Sequence, residues 1–118
     1  MPRISKQIRI HHSAEKVFAF LRQFKKFPQF IDGVKRVDSL SSSHESSVSS
    51  WVISISDTEI SWRQLDSFDS KNLTINFKLI DGDFADYAGS LAVRSIGQSS
   101  IITFDFVIEW SSESPTDA

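Results

Sequence analysis

Large apolar residues alternate with polar ones through most of the second half of the chain. The pattern is clearest near the end, where the apolar side chains are Ile102, Phe104, Phe106, Ile108 and Trp110. Residues 60–62 and 73–79 alternate in the same way. An alternation with period two predicts strands that have one apolar face and one solvated face. The chain must therefore form a sheet whose apolar face needs a cover.

The first third of the chain contains the only segments that favour helix. Residues 3–11 alternate as a first strand, and residues 14–24 then carry apolar side chains at helical spacing. Ser13 precedes this segment and is a good N-cap residue. Pro28 is tolerated in a first helical turn, so residues 25–31 predict a second short helix or a turn.

Short polar segments separate the remaining strands, at residues 41–47, 56–58, 69–72, 81–83 and 97–98. Loops of this kind between alternating segments imply antiparallel hairpins. The order is one strand, one or two short helices and about six further strands. This order predicts a single α+β domain over residues 1–110, with a curved antiparallel sheet and no parallel crossover. Residues 111–118 are small, acidic or proline residues and predict a flexible tail.

Composition excludes several classes of function. The chain of 118 residues has no cysteine, which excludes disulfides and thiolate metal sites. A net charge of -2 offers no general attraction to nucleic acid. No apolar run is long enough for a membrane span or a secretion signal, so the sequence predicts a cytoplasmic protein. None of the three histidines has a suitably spaced second ligand, so we expect no metal and no cofactor.

Several short segments occur in an order and spacing that resemble a known family. They are SAEKVF at 13–18, FPQF at 27–30, Trp62, GDF at 82–84, Gly89 and FDF at 104–106. Over about residues 4–110 the chain resembles the aromatase/cyclases, the polyketide cyclase/dehydrase branch of the START-like superfamily. The resemblance implies a helix-grip fold, also called START-like or Bet v 1-like. In this fold the sheet wraps around a long C-terminal helix and leaves an elongated pocket for hydrophobic or aromatic ligands.

The segment after Trp110 is too short for that C-terminal helix. We expect either that the helix has been cut off or that this is a natural short form whose sheet is closed by another chain. Each large side chain of the face is worth roughly 1.5–3 kcal/mol when buried, so a bare face would cost much of a domain's stability. An apolar patch of this size predicts association. The sequence therefore predicts a homodimer.

The resemblance also indicates where polar groups would enter the pocket. In the aromatase/cyclases, the strand that carries the tryptophan places a polar residue two positions later and an arginine two positions after that. In this chain those positions hold Gln64 and Asp66, and Arg63 points to the other face of the strand. Gln64 and Asp66 are thus candidates to contact ligand oxygens, and a solvated strand end is the alternative. Tyr87, the only tyrosine, either donates to a carbonyl or enolate oxygen or simply packs.

Two functions follow from the resemblance. The first is that of an aromatase/cyclase-like protein, which binds a carrier-tethered poly-β-ketone or aromatic polyketide and directs its cyclisation or dehydration. Its pocket would be lined by Trp51, Trp62, Phe77 and Phe84, with Trp62 as core filler the alternative. Its catalytic residues would be Tyr87, Gln64 and Asp66.

The aromatase/cyclase-like function also implies an acyl carrier protein as a partner. Lys25 and Lys26 would dock that acidic partner, and a solvated helix end is the other interpretation of these two lysines. The second function is that of a non-catalytic lipid or quinone carrier, which needs the apolar pocket but no acid or base. A domain that dimerises and binds nothing small is a third, lesser interpretation.

Overall fold

The computed structural model describes residues 3–110 and contains seven strands, one α-helix and one 3₁₀ helix. The helices are α1 (Ala14–Leu21) and the 3₁₀ helix (Phe24–Gln29). The strands are β1 (Arg3–Ile10), β2 (Val34–Ser42), β3 (Ser46–Ile55), β4 (Thr58–Asp69), β5 (Thr74–Gly82), β6 (Phe84–Ile96) and β7 (Ser99–Trp110).

All seven strands form one antiparallel sheet in the order β1-β7-β6-β5-β4-β3-β2. Strands β2 to β7 form a continuous meander, and β1 pairs with β7 at the far edge. The α+β class and the six strands that follow the helices are therefore as predicted. The predicted tail at residues 111–118 lies outside the described residues.

The first helix is shorter than its apolar spacing predicts. Ser13 caps it as expected, since the backbone N–H of Lys16 donates to the Ser13 hydroxyl at 3.3 Å. The helix nevertheless ends at Leu21 rather than at Phe24, because Gln23 leaves helical geometry with φ -93° and ψ 67°. This break turns the Phe24 ring onto the sheet, where its centroid lies 5.6 Å from that of Trp51.

The core lies between the concave face of the sheet and the two helices. Helix α1 buries Ala14, Val17, Phe18 and Leu21 against it. The sheet contributes alternate residues from β2 to β7, and the buried apolar ones are Val37, Trp51, Ile60, Trp62, Ile75, Phe77, Phe84, Tyr87, Leu91, Val93 and Ile102. Period-two alternation thus generates the buried face that the sequence predicts.

The convex face carries charged pairs across neighbouring strands. Arg3 on β1 contacts Asp105 on β7 at 2.7 Å, and Arg63 on β4 contacts Asp81 on β5. Arg63 therefore points away from the concave face, as strand alternation predicts. Each guanidinium lowers the pKa of the aspartate that it contacts, mainly by donating hydrogen bonds to it. No helix within residues 3–110 is both long and apolar enough to cross a membrane.

Candidate functional site

The concave face and the 3₁₀ helix enclose a cavity of about 370 Å³. This volume lies within the range of roughly 300–1,000 Å³ that is common for small-molecule sites. We call it the aromatic cavity, because seven of its lining residues are phenylalanine or tryptophan and one is tyrosine. Its lining residues are Phe24, Phe27, Ile31, Val34, Trp51, Ile53, Trp62, Gln64, Phe77, Tyr87, Leu91, Phe104 and Phe106.

Two stacked tryptophans form one wall of the aromatic cavity. Trp51 on β3 and Trp62 on β4 are direct partners in the strand register. Their ring centroids are 5.8 Å apart and their planes differ by only 7°. The Phe27 ring meets Trp51 edge-on at 5.8 Å, and the Tyr87 ring lies 5.6 Å from Trp62. Aromatic rings in mutual contact therefore make up this wall of the cavity.

A second pair of aromatic rings, from β5 and β7, is in contact above Gly89 of β6. Phe77 on β5 and Phe106 on β7 flank Gly89 in the register of the sheet. Their ring centroids are 6.0 Å apart and their planes differ by 23°. Because Gly89 has no side chain, rings from two strands that are not neighbours can come into contact across it. This contact continues the aromatic lining from β4 to β7.

A buried hydrogen-bond network continues from the two tryptophans along β3 and β4, and we call it the Asp66 network. The hydroxyls of Ser47 and Ser49 donate to Asp66 Oδ2 at 2.7 and 2.8 Å, and Gln64 Nε2 donates to Asp66 Oδ1 at 2.6 Å. The Trp62 Nε1–H donates to Gln64 Oε1 at 2.8 Å. The Trp51 Nε1–H donates to the Ser49 hydroxyl at 2.8 Å.

Gln64 and Asp66 are not at a solvated strand end. Their exposed fractions are 1% and 0%, because both point to the concave face of β4 together with Ile60 and Trp62. That alternative interpretation is therefore wrong. No cation within the described range pairs with Asp66. Burial raises the pKa of Asp66, although hydrogen bonds from Gln64, Ser47 and Ser49 lower it in part.

Tyr87 is one of the residues that line the aromatic cavity. Its side chain is 9% exposed and lines the cavity, and its hydroxyl has no hydrogen-bond partner among residues 3–110. Burial raises the pKa of Tyr87 well above its ordinary value, and the charge of Asp66 raises it further. The phenol therefore stays protonated at neutral pH and is available as a hydrogen-bond donor.

The structure brings five of the seven predicted site residues to the cavity surface. These are Trp51, Trp62, Gln64, Phe77 and Tyr87. The other two, Asp66 and Phe84, do not line the cavity. Asp66 accepts a hydrogen bond from Gln64, and Phe84 packs against Trp62 and Tyr87 with centroid distances of 5.1 and 5.5 Å.

A further cavity of about 330 Å³ lies beside the aromatic cavity, and Phe24 contributes to the walls of both. We call it the basic cavity. Its lining residues are Arg22, Gln23, Phe24, Lys25, Lys26, Val37, Ser39, Ser42, Ser47, Ser49 and Phe68. In the described part of the chain, none of the three cations in this set pairs with a carboxylate. The basic cavity is therefore locally positive although the whole chain carries a net charge of -2.

The buried carboxyl group of Asp66 should make the stability of the protein depend on pH. An asparagine at position 66 should remove this dependence. The pKa of Asp66 is raised above its ordinary value of 3.8, so the folded protein holds this proton more tightly than the unfolded chain does. Ionisation of Asp66 therefore lowers the free energy of unfolding as the pH rises from about 4 through the folded-state pKa. We expect the Asp66→Asn variant to gain stability relative to the wild type across this window, and urea unfolding at successive pH values measures the difference.

The exposed aspartates Asp69, Asp81 and Asp105 titrate alike in the wild type and the variant, so their effects cancel in the comparison. A difference in unfolding free energy that does not change with pH would contradict the expected behaviour of Asp66.

No cluster of three or more histidine or acidic side chains suited to a metal ion occurs in the part of the chain that the structure describes. Among the lining residues of the aromatic cavity, Gln64 carries an amide and Tyr87 a phenol. They can hold oxygen atoms of a ligand by hydrogen bonds, whereas the walls can only pack.

Comparison with known proteins gives one family and many similar folds. Residues 10–118 match the family model described as polyketide cyclase / dehydrase and lipid transport. No curated protein matches the sequence.

Among solved structures, the protein TTHA0849 from Thermus thermophilus has a TM-score of 0.91 at 18% identity, over 95% of this chain and 77% of that one. The ZhuI aromatase/cyclase from Streptomyces sp. R1128 has a TM-score of 0.81 at 12% identity, over 98% and 78%. A START superfamily protein from Mycobacterium smegmatis has a TM-score of 0.83 at 18% identity, over 96% and 80%. These similarities confirm the predicted helix-grip fold.

Proposed function

The chain belongs to the polyketide cyclase/dehydrase and lipid transport family, and on this premise we propose that it binds a poly-β-ketone or aromatic polyketide in the aromatic cavity and directs its cyclisation or dehydration. The observation that carries the proposal is the make-up of the cavity surface. The lining consists of aromatic and aliphatic side chains together with one amide and one phenol, Gln64 and Tyr87. Such a surface suits a planar ligand that carries a few oxygen atoms.

The tryptophan wall favours a conjugated ligand over a strongly polar one. Both indole N–H groups are already used inside the protein, by Gln64 and Ser49. The two rings therefore offer the ligand their apolar surface and no donor. A flat ring system stacks on such a surface, because offset stacked and edge-to-face arrangements of aromatic groups are both favourable.

Tyr87 and Gln64 would hold the oxygens of the reacting part of the ligand. In an aldol cyclisation, a carbon next to one carbonyl loses a proton to solvent and attacks the carbon of another carbonyl. The C=O π bond breaks, and its oxygen takes the negative charge and then a proton. A protonated phenol that donates to this oxygen stabilises the charge. The walls would contribute by orienting the chain, which brings the two reacting carbons together and promotes ring closure.

The basic cavity supports an acyl carrier protein as the partner that delivers the substrate. Lys25, Lys26 and Arg22 would attract an acidic surface or the phosphate of a tether, since they carry no paired carboxylate in the described structure. Phe24 lines both cavities, so a tether held at the basic cavity would lie next to the aromatic one. The homodimer and the cytoplasmic location stay predictions.

A change of Tyr87 to phenylalanine tests the polar part of the site. Because the hydroxyl has no partner among residues 3–110, we expect Tyr87→Phe to change the free energy of unfolding by less than about 0.5 kcal/mol. Loss of one hydrogen bond should weaken the binding of 1,8-dihydroxyanthraquinone by about five- to tenfold. Quenching of tryptophan fluorescence measures the affinity, and product analysis with a carrier-tethered poly-β-ketone measures the effect on cyclisation.

Anthracene is the matched control ligand, since it has the same ring system without oxygen atoms. Its affinity should be equal for the wild type and Tyr87→Phe. Equal affinity of both proteins for the anthraquinone, together with unaltered cyclised products, would contradict the proposal. That result would favour the lipid or quinone carrier, which needs only the apolar walls.

A further inference from the structure

Asp66 occupies an unusual position for a carboxylate. It is completely buried on the concave face and has no cationic partner in the described structure. A buried charge without a counter-ion is costly even when it is hydrogen-bonded. Asp66 does not line the aromatic cavity, so direct contact with a ligand does not account for its presence.

The hydrogen-bond directions give Asp66 a different role. Both oxygens of Asp66 act as acceptors in the structure, so Gln64 turns its Nε2 group toward Asp66 Oδ1. Its Oε1 atom then faces away from Asp66 and accepts from the Trp62 indole N–H. The opposite orientation of the Gln64 amide would set an N–H group against the indole N–H. The acceptor character of Asp66 thus determines which way Gln64 holds Trp62.

The second indole is held in the same manner. Ser49 has one hydroxyl proton and gives it to Asp66 Oδ2. Its lone pairs are then free to accept from the Trp51 indole N–H. Ser47 also donates to Asp66 Oδ2, but it contacts neither indole. Asp66 is therefore connected to both stacked tryptophans, through a different intermediate residue in each case.

We propose that Asp66 is a positioning residue whose buried carboxylate, acting through Gln64 and Ser49, fixes the two stacked indoles of Trp51 and Trp62 that form the cavity wall. This replaces the catalytic role that the resemblance suggests for Asp66. The indole geometry is independent of the ligand. Only the consequence for ligand affinity rests on the proposed function.

Indole N–H signals in ¹H–¹⁵N correlation NMR spectra of the intact chain provide the test. The protein has three tryptophans, so three indole signals are expected, and the Trp51→Phe and Trp62→Phe variants assign two of them. Trp110 is the internal reference, because its indole is not part of the Asp66 network. A lost hydrogen bond moves an indole N–H signal upfield and speeds its exchange with solvent.

The matched pair is Ser49→Ala and Ser47→Ala. Both serines are buried on β3 and donate to the same oxygen of Asp66 at nearly equal distances. We expect Ser49→Ala to shift the Trp51 signal and Ser47→Ala to leave both indole signals in place. Gln64→Leu should shift the Trp62 signal and spare Trp51. Equal shifts in the two serine variants would overturn the proposal.

Variants of Asp66 itself complete the test. Asp66→Ala should shift the Trp51 and Trp62 signals together and leave Trp110 unchanged. Asp66→Asn should restore both, because its oxygen can still accept from Gln64 while the two serine hydroxyls rotate to accept from its amide group. Unshifted indole signals in Asp66→Ala would overturn the proposal. If Asp66→Ala does not fold, the single-residue variants of Ser49 and Gln64 decide the question.

Affinity for 1,8-dihydroxyanthraquinone separates this inference from the proposed function. A disordered wall should bind the probe about tenfold more weakly in Asp66→Ala than in Asp66→Asn. If the indole signals shift as expected and the affinity does not change, the positioning role stands and the proposed ligand site is wrong. If neither changes, the positioning role itself is wrong.

Discussion

Gly82→Ala is expected to lower the free energy of unfolding by about 3 kcal/mol or more, because it combines backbone strain with a steric clash. Gly82 has φ +140°, a conformation that side chains strongly disfavour. An added Cβ would clash with the Trp62 backbone and lie 2.7 Å from the Ser61 carbonyl oxygen. Neither neighbour can rotate away, since both contacts are with backbone atoms. Urea unfolding measures the loss.

Two other glycines separate the contributions to this effect. Gly97 also has a left-handed φ, +59°, but its added Cβ would meet nothing within 4 Å. Gly97→Ala should therefore cost only about 1 kcal/mol, from strain alone. Gly89 has no positive φ, and its added Cβ would meet the Phe106 ring and the Asp105 carbonyl oxygen. Gly89→Ala should cost about 2 kcal/mol, from crowding alone.

Comparable losses at Gly82 and Gly97 would show that strain accounts for the effect and that the contact with Trp62 contributes nothing. The contact matters for the site as well as for the fold. Gly82 and Trp62 are register partners on β5 and β4. A side chain at position 82 would therefore push the strand that carries the tryptophan wall.

The sheet could be predicted from the sequence because the alternation of apolar and polar residues along each strand indicates which of its faces is buried. On β4 the buried residues Ile60, Trp62, Gln64 and Asp66 follow strict alternation. The face that carries Gln64 and Asp66 was therefore predictable from one strand. The burial of Gln64 and Asp66 was not predictable from that strand, because it depends on residues elsewhere in the chain, including Phe24 and the serines of β3.

The helix boundary shows where local pattern is insufficient. Apolar spacing continues from Leu21 to Phe24, so it favours one helix, yet Gln23 breaks it and Phe24 turns toward the sheet. There its ring meets Trp51, Phe68 and Phe77 at centroid distances of 5.6 to 6.2 Å. These tertiary contacts outweigh the weak preference of two or three residues for helix.

The Asp66 network depends on strand register, which one strand alone does not determine. Ser47 lies opposite Asp66, Ser49 opposite Gln64, and Trp51 opposite Trp62. The serines of β3 alternate with the same period as the apolar residues of other strands, but a serine at such a position usually indicates solvent. Here two of them are buried because they face a carboxylate on the neighbouring strand.

Trp62→Ala is expected to remove most of the ligand affinity and about 3–5 kcal/mol of stability. The substitution deletes a ring that contacts Trp51, Phe84 and Tyr87 at 5.8, 5.1 and 5.6 Å. It also leaves Gln64 Oε1 without its indole donor in a buried position, which carries a further penalty. The affinity for 1,8-dihydroxyanthraquinone should fall at least about tenfold.

Trp110→Ala is the matched control for this loss. Trp110 is half-buried on β7 and packs on Phe84 at 5.0 Å, but it does not line the aromatic cavity. The Trp110→Ala substitution should therefore lower the unfolding free energy less than Trp62→Ala does, and it should leave probe binding unchanged. A double-mutant cycle with Trp51 isolates the stacking, which should couple the two rings by about 0.5–1.5 kcal/mol. If Trp62→Ala and Trp110→Ala weaken probe binding equally, the tryptophan wall is not the ligand surface and the loss reflects the fold alone.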